Sequence, residues 1–483
     1  MSEPESSRRD SLPFAHRSLW PWIALFLSGL GGILWIFSGK FAIVNADAGY
    51  YLSLVAAAAR GEVWYRDLFI GYAPLSLYGF RLIRWLSGPE THYEHYLTGI
   101  LLLHLLNAGL LFVLSGRIIS FPWPRLSLAA FYVMLVLTYE GENILLEPLC
   151  STFCLLTLLS LTKEGALWGR VMWSSCWVML ACLCKQYGGL MGLGIAAWLF
   201  SQIPQLGWKK SLQGALLSMG VFGGGLLAVA LCLGWQYGVR WDWLVLEWMG
   251  GIGREYGDFA MLDGLLVWVR NLLISLPVLV FLPKLWSSRK HDPWLWLLVM
   301  SFIGLSFPFY VKTFQHYWLL PLPMGLLLVA YVWEYLLGQQ LRTLAYVALG
   351  TMLAVNTLRA GLQMKFLWKS QGERLEQKRV AARIHRYIPP GTPTLLLPTH
   401  AQSLNYLADL RPVDPTLSGF AFPSSFDPTY FRQLLQTHPP ILTDQDQREA
   451  YPFQISIAEA LGYQKIGEVK GSPPLEVWMR SPY

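Results

Sequence analysis

The chain has 483 residues, of which 54% are apolar and only 14% charged, with a formal net charge of +7. Soluble domains carry roughly 25% charge, so most of this surface faces something other than water, which excludes a string of two or three soluble domains. The positive balance does not indicate nucleic acid, because no basic, aromatic-interleaved stripe accompanies it. The positive bias of cytoplasmic membrane loops, together with a basic tail, accounts for it.

Residues 1–18 are polar, carry Arg8, Arg9 and Arg17, and read as a cytoplasmic N-terminal tail. The apolar run that follows has no small-residue cleavage site, so it is expected to be an uncleaved first span. Apolar runs near or above the ~20 residues that cross hydrocarbon then recur along the chain. About eleven spans are expected, near 19–38, 96–116, 124–139, 145–162, 167–184, 187–204, 211–235, 264–283, 293–311, 314–335 and 342–361. Alternate connections hold Arg117 and Arg125, Lys163 and Arg170, Lys209 and Lys210, then Lys284, Arg289 and Lys290, and finally Arg342. The other short connections are poor in cations, and the turn at 139–143 carries Glu140 and Glu142 instead. This asymmetry puts the N-terminus in the cytoplasm and, with an odd span count, the C-terminal region outside.

The region 19–361 therefore reads as a polytopic α-helical membrane domain with two long outer stretches, 39–95 and 236–263. Both mix Trp, Tyr and charged residues with apolar ones, the pattern of amphipathic helices lying in the interface. Residues 362–483 are polar and read as a small extracytoplasmic α/β domain: a basic helix over 371–387, a turn at Pro389-Pro390-Gly391, and strands near 394–397, 441–443, 464–469 and 475–479. Helices are expected near 402–408 and 447–461. No Gly-rich strand-to-helix turn is present, so no nucleotide is assigned. The six cysteines (Cys150, Cys154, Cys176, Cys182, Cys184 and Cys232) lie in or beside apolar runs, which speaks against a disulfide framework or a CxxC metal site.

Ionisable residues at span ends are costly and are functional candidates for that reason. Asp47, in Asn45-Ala46-Asp47-Ala48-Gly49-Tyr50-Tyr51, admits two readings: a general base for an acceptor hydroxyl, or the N-cap of a helix from Ala48. Asp67 either positions substrate or pairs with Arg66. Glu140, Glu142 and Glu147 cluster around a helix start, where carboxylates favour the dipole, but Glu147 stands apart because it lies within an apolar run and precedes Pro148. Lys185 and Lys312 are lone cations of outer connections, placed either to hold a lipid phosphate or to snorkel. His316 follows Lys312 by four residues and would add a phosphate donor, while Arg254 either joins them or pairs with Glu255.

Taken in order, these motifs resemble the GT-C superfamily of membrane glycosyltransferases, and most closely the branch of protein O-mannosyltransferases and the lipid A aminoarabinose transferase. The resemblance spans nearly the whole chain. It rests on Asp47 in the first outer loop, Asp67 followed by Pro74-Leu75, Glu147-Pro148, Lys185-Gln186-Tyr187-Gly188, and His316-Tyr317-Trp318-Leu319-Leu320-Pro321-Leu322-Pro323. Many relatives carry two adjacent acids in the first loop, whereas Ala48 follows Asp47 here, so no acidic-pair metal site is assigned and a divalent metal stays an open question.

The resemblance implies transfer of a sugar, with inversion, from a polyprenyl-phosphate carrier to a lipid, glycan or protein acceptor. Asp47 would be the base, with Asp67, Glu147, Lys185, Arg254, Lys312 and His316 binding substrate. It implies membrane lipids as surroundings, no nucleic acid partner, and a bacterial inner membrane as location. A transporter, or a non-catalytic lipid-binding or assembly protein of the same architecture, is the alternative.

Overall fold

The computed structural model describes residues 44–239 and 261–481, apart from 69, 71–73, 89–90, 121, 142, 312–314, 340, 370, 398–400, 414–427, 451 and 472–473. The expected first span at 19–38, most of the second outer stretch, Glu142, Arg254 and Lys312 lie outside the described residues.

Helix α1 (Ala46–Ala59) is capped by Asn45, whose side chain accepts from the Ala48 amide at 2.8 Å. Asp47 is thus freed from the capping role and sits in the first turn. The helix is Ala-rich, as strong helix propensity favours, and it stops where Gly61 turns to a φ of 100°. It is buried around most of its circumference through Ala48, Tyr51, Leu54 and Val55, the signature of a helix packed inside protein. The expectation of an interfacial helix fails here. It fits α2 (Pro74–Ser87), which buries Leu77 and Phe80 while Leu82, Trp85 and Leu86 are exposed.

The bundle continues with α3 (Tyr93–Ser115), α4 (Pro122–Thr138), α5 (Glu147–Thr162), α6 (Leu167–Cys184), α7 (Gly192–Ser201) and α8 (Trp208–Tyr237). After the second outer stretch come α9 (Met261–Ser275), α10 (Leu282–Arg289), α11 (Pro293–Val311), α12 (Leu322–Gly338) and α13 (Arg342–Lys369). Among the described residues α3, α6 and most of α8 are long and apolar enough to cross a bilayer, and five others are shorter and apolar. The most apolar stretch of α8 is only 6% buried among the described residues, and its Leu216, Met219, Leu227 and Leu231 are exposed, an apolar surface suited to lipid.

Three expected continuous spans are interrupted by 3-10 turns, at Gln186–Met191, Pro277–Phe281 and Gln315–Leu319. Pro277 lacks the amide a helix needs, and Gly188-Gly189 weaken helix formation at the first turn. Such irregular backbone survives at membrane depth only where protein buries it, and Tyr187, Met191, Leu279, Tyr317 and Trp318 are all buried.

The C-terminal unit begins with α14 (Gln371–Ile384), then β1 (Pro393–Leu396), α15 (Ala401–Leu407), β2 (Arg411–Pro412) and α16 (Pro428–Leu434). It ends with β3 (Ile441–Asp444), α17 (Gln445–Ala450), α18 (Pro452–Ala460), β4 (Tyr463–Val469) and β5 (Leu475–Arg480). The helix expected over 447–461 corresponds to α17 and α18, with residue 451 between them outside the described residues. The sheet order is β2-β1-β3-β5-β4, with β1 parallel to both neighbours and β5 antiparallel to both of its own. Separate apolar clusters, one around Ile384 and Leu410 and one around Phe431 and Ala458, cover its surfaces. The unit is seated on the first helices. α15 packs on α1, and Gln377 bonds the Val44 backbone in both directions at 3.2 Å. Arg374 meets Glu94, and Arg411 meets Glu62 at 3.3 Å.

Candidate active site

Four ionisable side chains from distant parts of the chain, Glu147, Lys185, His316 and Glu140, meet at one end of the bundle. Glu147 is the first residue of α5, followed by Pro148, whose missing amide costs nothing at that position. It is fully buried and forms an ion pair with Lys185, itself only 3% exposed, at the end of α6. Lys185 reaches inward because its backbone is extended (φ −153°), and the chain then enters the 3-10 turn. Gly188 permits this fold-back: a Cβ there would lie 2.5 Å from the Ala181 backbone and 2.7 Å from Cys150 Sγ.

His316 comes from the 3-10 turn before α12. Its Nε2 lies 3.9 Å from Glu147 Oε1 and its Nδ1 3.2 Å from Glu140 Oε2. Glu140 adopts the left-handed conformation (φ 59°) that turns the chain between α4 and α5. Tyr317 lies beneath the lysine, with Nζ 4.1 Å from its ring centre, and Tyr187 meets it edge-on at 5.8 Å. A cation over an aromatic face in a dry site is held by the ring quadrupole as well as by its carboxylate.

Asp47, in the first turn of α1, feels all four groups. Burial raises its carboxyl above the usual value, His316 and Lys185 pull it down, and Glu147 and Glu140 push it up. The result is a half-buried carboxylate more basic than an ordinary aspartate, within electrostatic reach of Lys185 and His316. The start of α5 is fixed from behind: Asn107 donates to the Pro148 carbonyl at 3.0 Å and to the Tyr132 hydroxyl at 3.3 Å, while Thr152 donates to Asn107 Oδ1 at 2.7 Å. Ser151 donates to the Leu319 carbonyl at 3.2 Å and so ties α5 to the His316 turn.

Of the residues singled out in the sequence, Asp47, Glu147, Lys185 and His316 converge. Asp67 does not join them. Its carboxylate closes its own loop, accepting from the Val63 amide at 2.8 Å and from Arg66 at 2.7 Å. Arg66 also holds its carboxyl below the usual value. Arg254 and Lys312 lie outside the described residues. Glu140, read from sequence as a helix-start acid, proves to be the partner of His316. Arg359 was missed, although it is a lone cation within an apolar run, itself a signal. It donates to the Tyr139 hydroxyl at 3.2 Å, beside Glu140.

No family model and no curated protein sequence matches the chain. Solved structures do match along nearly its full length. ArnT from Cupriavidus metallidurans, bound to undecaprenyl phosphate, superposes with a TM-score of 0.61 at 14% identity, over 96% of this chain and 100% of that one. At this identity the likeness shows that the two chains share a fold. The same fold appears in the Archaeoglobus fulgidus oligosaccharyltransferase tethered to an acceptor peptide, with a TM-score of 0.55 at 11% identity, over 96% of this chain and 74% of that one. It appears again in the archaeal AglB in complex with an inhibitory peptide and a dolichol-phosphate, with a TM-score of 0.51. The shared fold and the apolar helices agree that this chain is a membrane protein.

Proposed function

We propose that the protein is an inverting glycosyltransferase that moves a sugar from a polyprenyl-phosphate carrier to an acceptor hydroxyl. The observation that carries this reading is the meeting of Asp47 with the buried Glu147–Lys185 pair and His316 at one end of the bundle. ArnT and AglB, which share the fold, are seen with undecaprenyl phosphate and dolichol-phosphate, which supports a carrier of that class.

In this mechanism the acceptor oxygen attacks the anomeric carbon as Asp47 takes its proton, and the bond to the carrier phosphate breaks on the opposite face. Burial makes Asp47 a stronger base, while Lys185 and His316 keep it ionised. The departing lipid phosphate gains negative charge, so cations that hold it best in the transition state lower the barrier. Lys185 and His316 stand nearest that role, with Lys312 and Arg254 as further candidates. Glu147 positions Lys185: an ammonium buried on a carboxylate and an aromatic ring needs no reorganisation when the phosphate charge develops.

The same reading places the reacting end of the bundle at the outer membrane face, with the N-terminus inside and the C-terminal unit outside, as the distribution of Lys and Arg supports. Purified full-length protein in nanodiscs, given radiolabelled polyprenyl-phosphate sugars, should release the lipid phosphate, and the Asp47→Asn variant should not. Equal release by a folded Asp47→Asn variant would remove Asp47 from the reaction.

A further inference from the structure

Away from the Asp47 cluster, the seam between α1, α2, the start of α3 and the C-terminal unit holds a cavity of about 320 Å³. That falls in the roughly 300–1,000 Å³ range of small-molecule sites. Asp47, Glu147, Lys185 and His316 do not line it. At about 100° per residue, Ser53 and Ala56 of α1 and its C-cap Arg60 occupy the face turned away from Asp47, and these three do line the cavity.

The lining is rich in cations. Arg60, Arg84, Arg374 and Lys378 contribute to it, against the carboxylates Glu94 and Asp409. Those two acids are already engaged, Glu94 by Arg374 and Asp409 by Arg60 at 4.0 Å. Arg84 and Lys378 are left without a carboxylate partner among the described residues. Two buried polar groups point the same way. Ser53, 4% exposed, and Asn405, 2% exposed, both line the cavity, and neither Ser53 Oγ nor Asn405 Nδ2 has a hydrogen-bond partner among the described residues. Buried donors without partners are rare enough in folded proteins to call for an explanation, and a ligand supplies one.

We propose that this seam cavity is a second binding site, for a phosphate-bearing group of about saccharide size. Its oxygens accept from Arg84 and Lys378 as charge-assisted bonds, and from Ser53 Oγ and Asn405 Nδ2, the donors that the protein itself leaves unmet. The lining comes partly from the outer helices and partly from α14, α15 and the residues after α15, so a bound phosphate clasps the C-terminal unit to α1 and α2. Leu82, Trp85 and Leu86, exposed on the helix that carries Arg84, bring the site to headgroup depth. The phosphate then comes either from an anionic lipid or from a soluble phosphorylated sugar. This inference is independent of the glycosyl-transfer reading.

Two arms test it on the full chain. Calorimetric titration in detergent micelles with glucose 6-phosphate, and with glucose as control, reads the soluble source. The thermal midpoint in phosphatidylcholine nanodiscs, with and without phosphatidylglycerol, reads the lipid source. A phosphate-dependent response in either arm is expected. It should weaken at least tenfold, or vanish, in Arg84→Gln/Lys378→Gln and in Lys378→Glu, which alters only an exposed side chain. Asp47→Asn should respond like the parent. No response in either arm, equal binding of glucose, an unchanged response in both cavity variants, or loss of the response in Asp47→Asn would overturn the proposal.

Discussion

Two of the Lys–Glu pairs among the described residues have the same chemistry and differ in everything that matters physically. Lys185–Glu147 lies in the bundle with side chains 3% and 0% exposed, whereas Lys465–Glu476 crosses the C-terminal sheet at 2.9 Å with side chains 37% and 9% exposed. A buried pair must recover the desolvation of both ions, and hydrophobic replacements of equal volume are often as stable. An exposed pair recovers almost nothing and costs almost nothing. A buried pair is therefore weak evidence for stability and better evidence for work done by its charge, and Asp47 sits within the field of the buried pair alone.

The largest test of this contrast is Asp47→Asn. Loss of a positioned base typically costs about 10²–10⁴-fold in turnover, and that reduction is expected in lipid-phosphate release while the thermal midpoint holds, because a raised carboxyl pKa marks a charge the fold does not favour. The sign also fixes the pH profile. Asp47 must be ionised to act, and its folded value is raised, so kcat/KM should climb with pH through a limb above the ordinary aspartate range. A limb at the ordinary value would mean that burial does not control this group.

Next in size is Lys185→Met. It leaves Glu147 buried without its closest cation, with only His316 at 3.9 Å beside it, and breaking a buried pair in this way costs about 3–5 kcal/mol. The second change Glu147→Gln should return most of that stability without returning activity, as read by thermal midpoint and lipid-phosphate release. Full activity in the stable double variant would separate the pair from catalysis. A smaller effect is expected from Gly188→Ala. The new methyl would stand 2.5 Å from the Ala181 backbone, so the turn carrying Lys185 must shift, at about 1–3 kcal/mol for overpacking. Turnover should fall with it, since Lys185 moves away from Tyr317 and Glu147.

Much of the scaffold could be read in advance because apolar runs and their punctuation are local. The run expected at 167–184 is the helix Leu167–Cys184, and the run at 96–116 is Tyr93–Ser115. The strands of the C-terminal unit were legible for the same reason, except β2, whose two residues carry no period. Glu147, Lys185 and His316 stood out because a charge at the end of an apolar run is expensive. The partnership of Glu140 with His316 was not legible, since 176 residues separate them. Nor was the burial of α1, whose Ala-rich face is hidden by α15 from the far end of the chain. The 3-10 interruptions escaped because apolar composition does not distinguish i+3 from i+4 bonding. Asp67 was legible as an acid but not as one spent on its own loop, through Val63 and Arg66.

The smallest expected effect completes the contrast from its exposed side. Lys465→Met removes the cation that touches both Glu468 at 3.0 Å and Glu476 at 2.9 Å. Glu476 does not become an orphan, because Arg448 still meets it at 3.1 Å and the Trp478 indole donates to it at 3.2 Å. Lys465 itself is surrounded by water on one side, where screening and side-chain entropy consume most of the Coulomb gain. A change within about 1 kcal/mol in stability is expected, with lipid-phosphate release unaltered. A loss as large as that of Lys185→Met would show that burial is not what separates the two pairs, and the argument for a working charge at Lys185 would lose its footing.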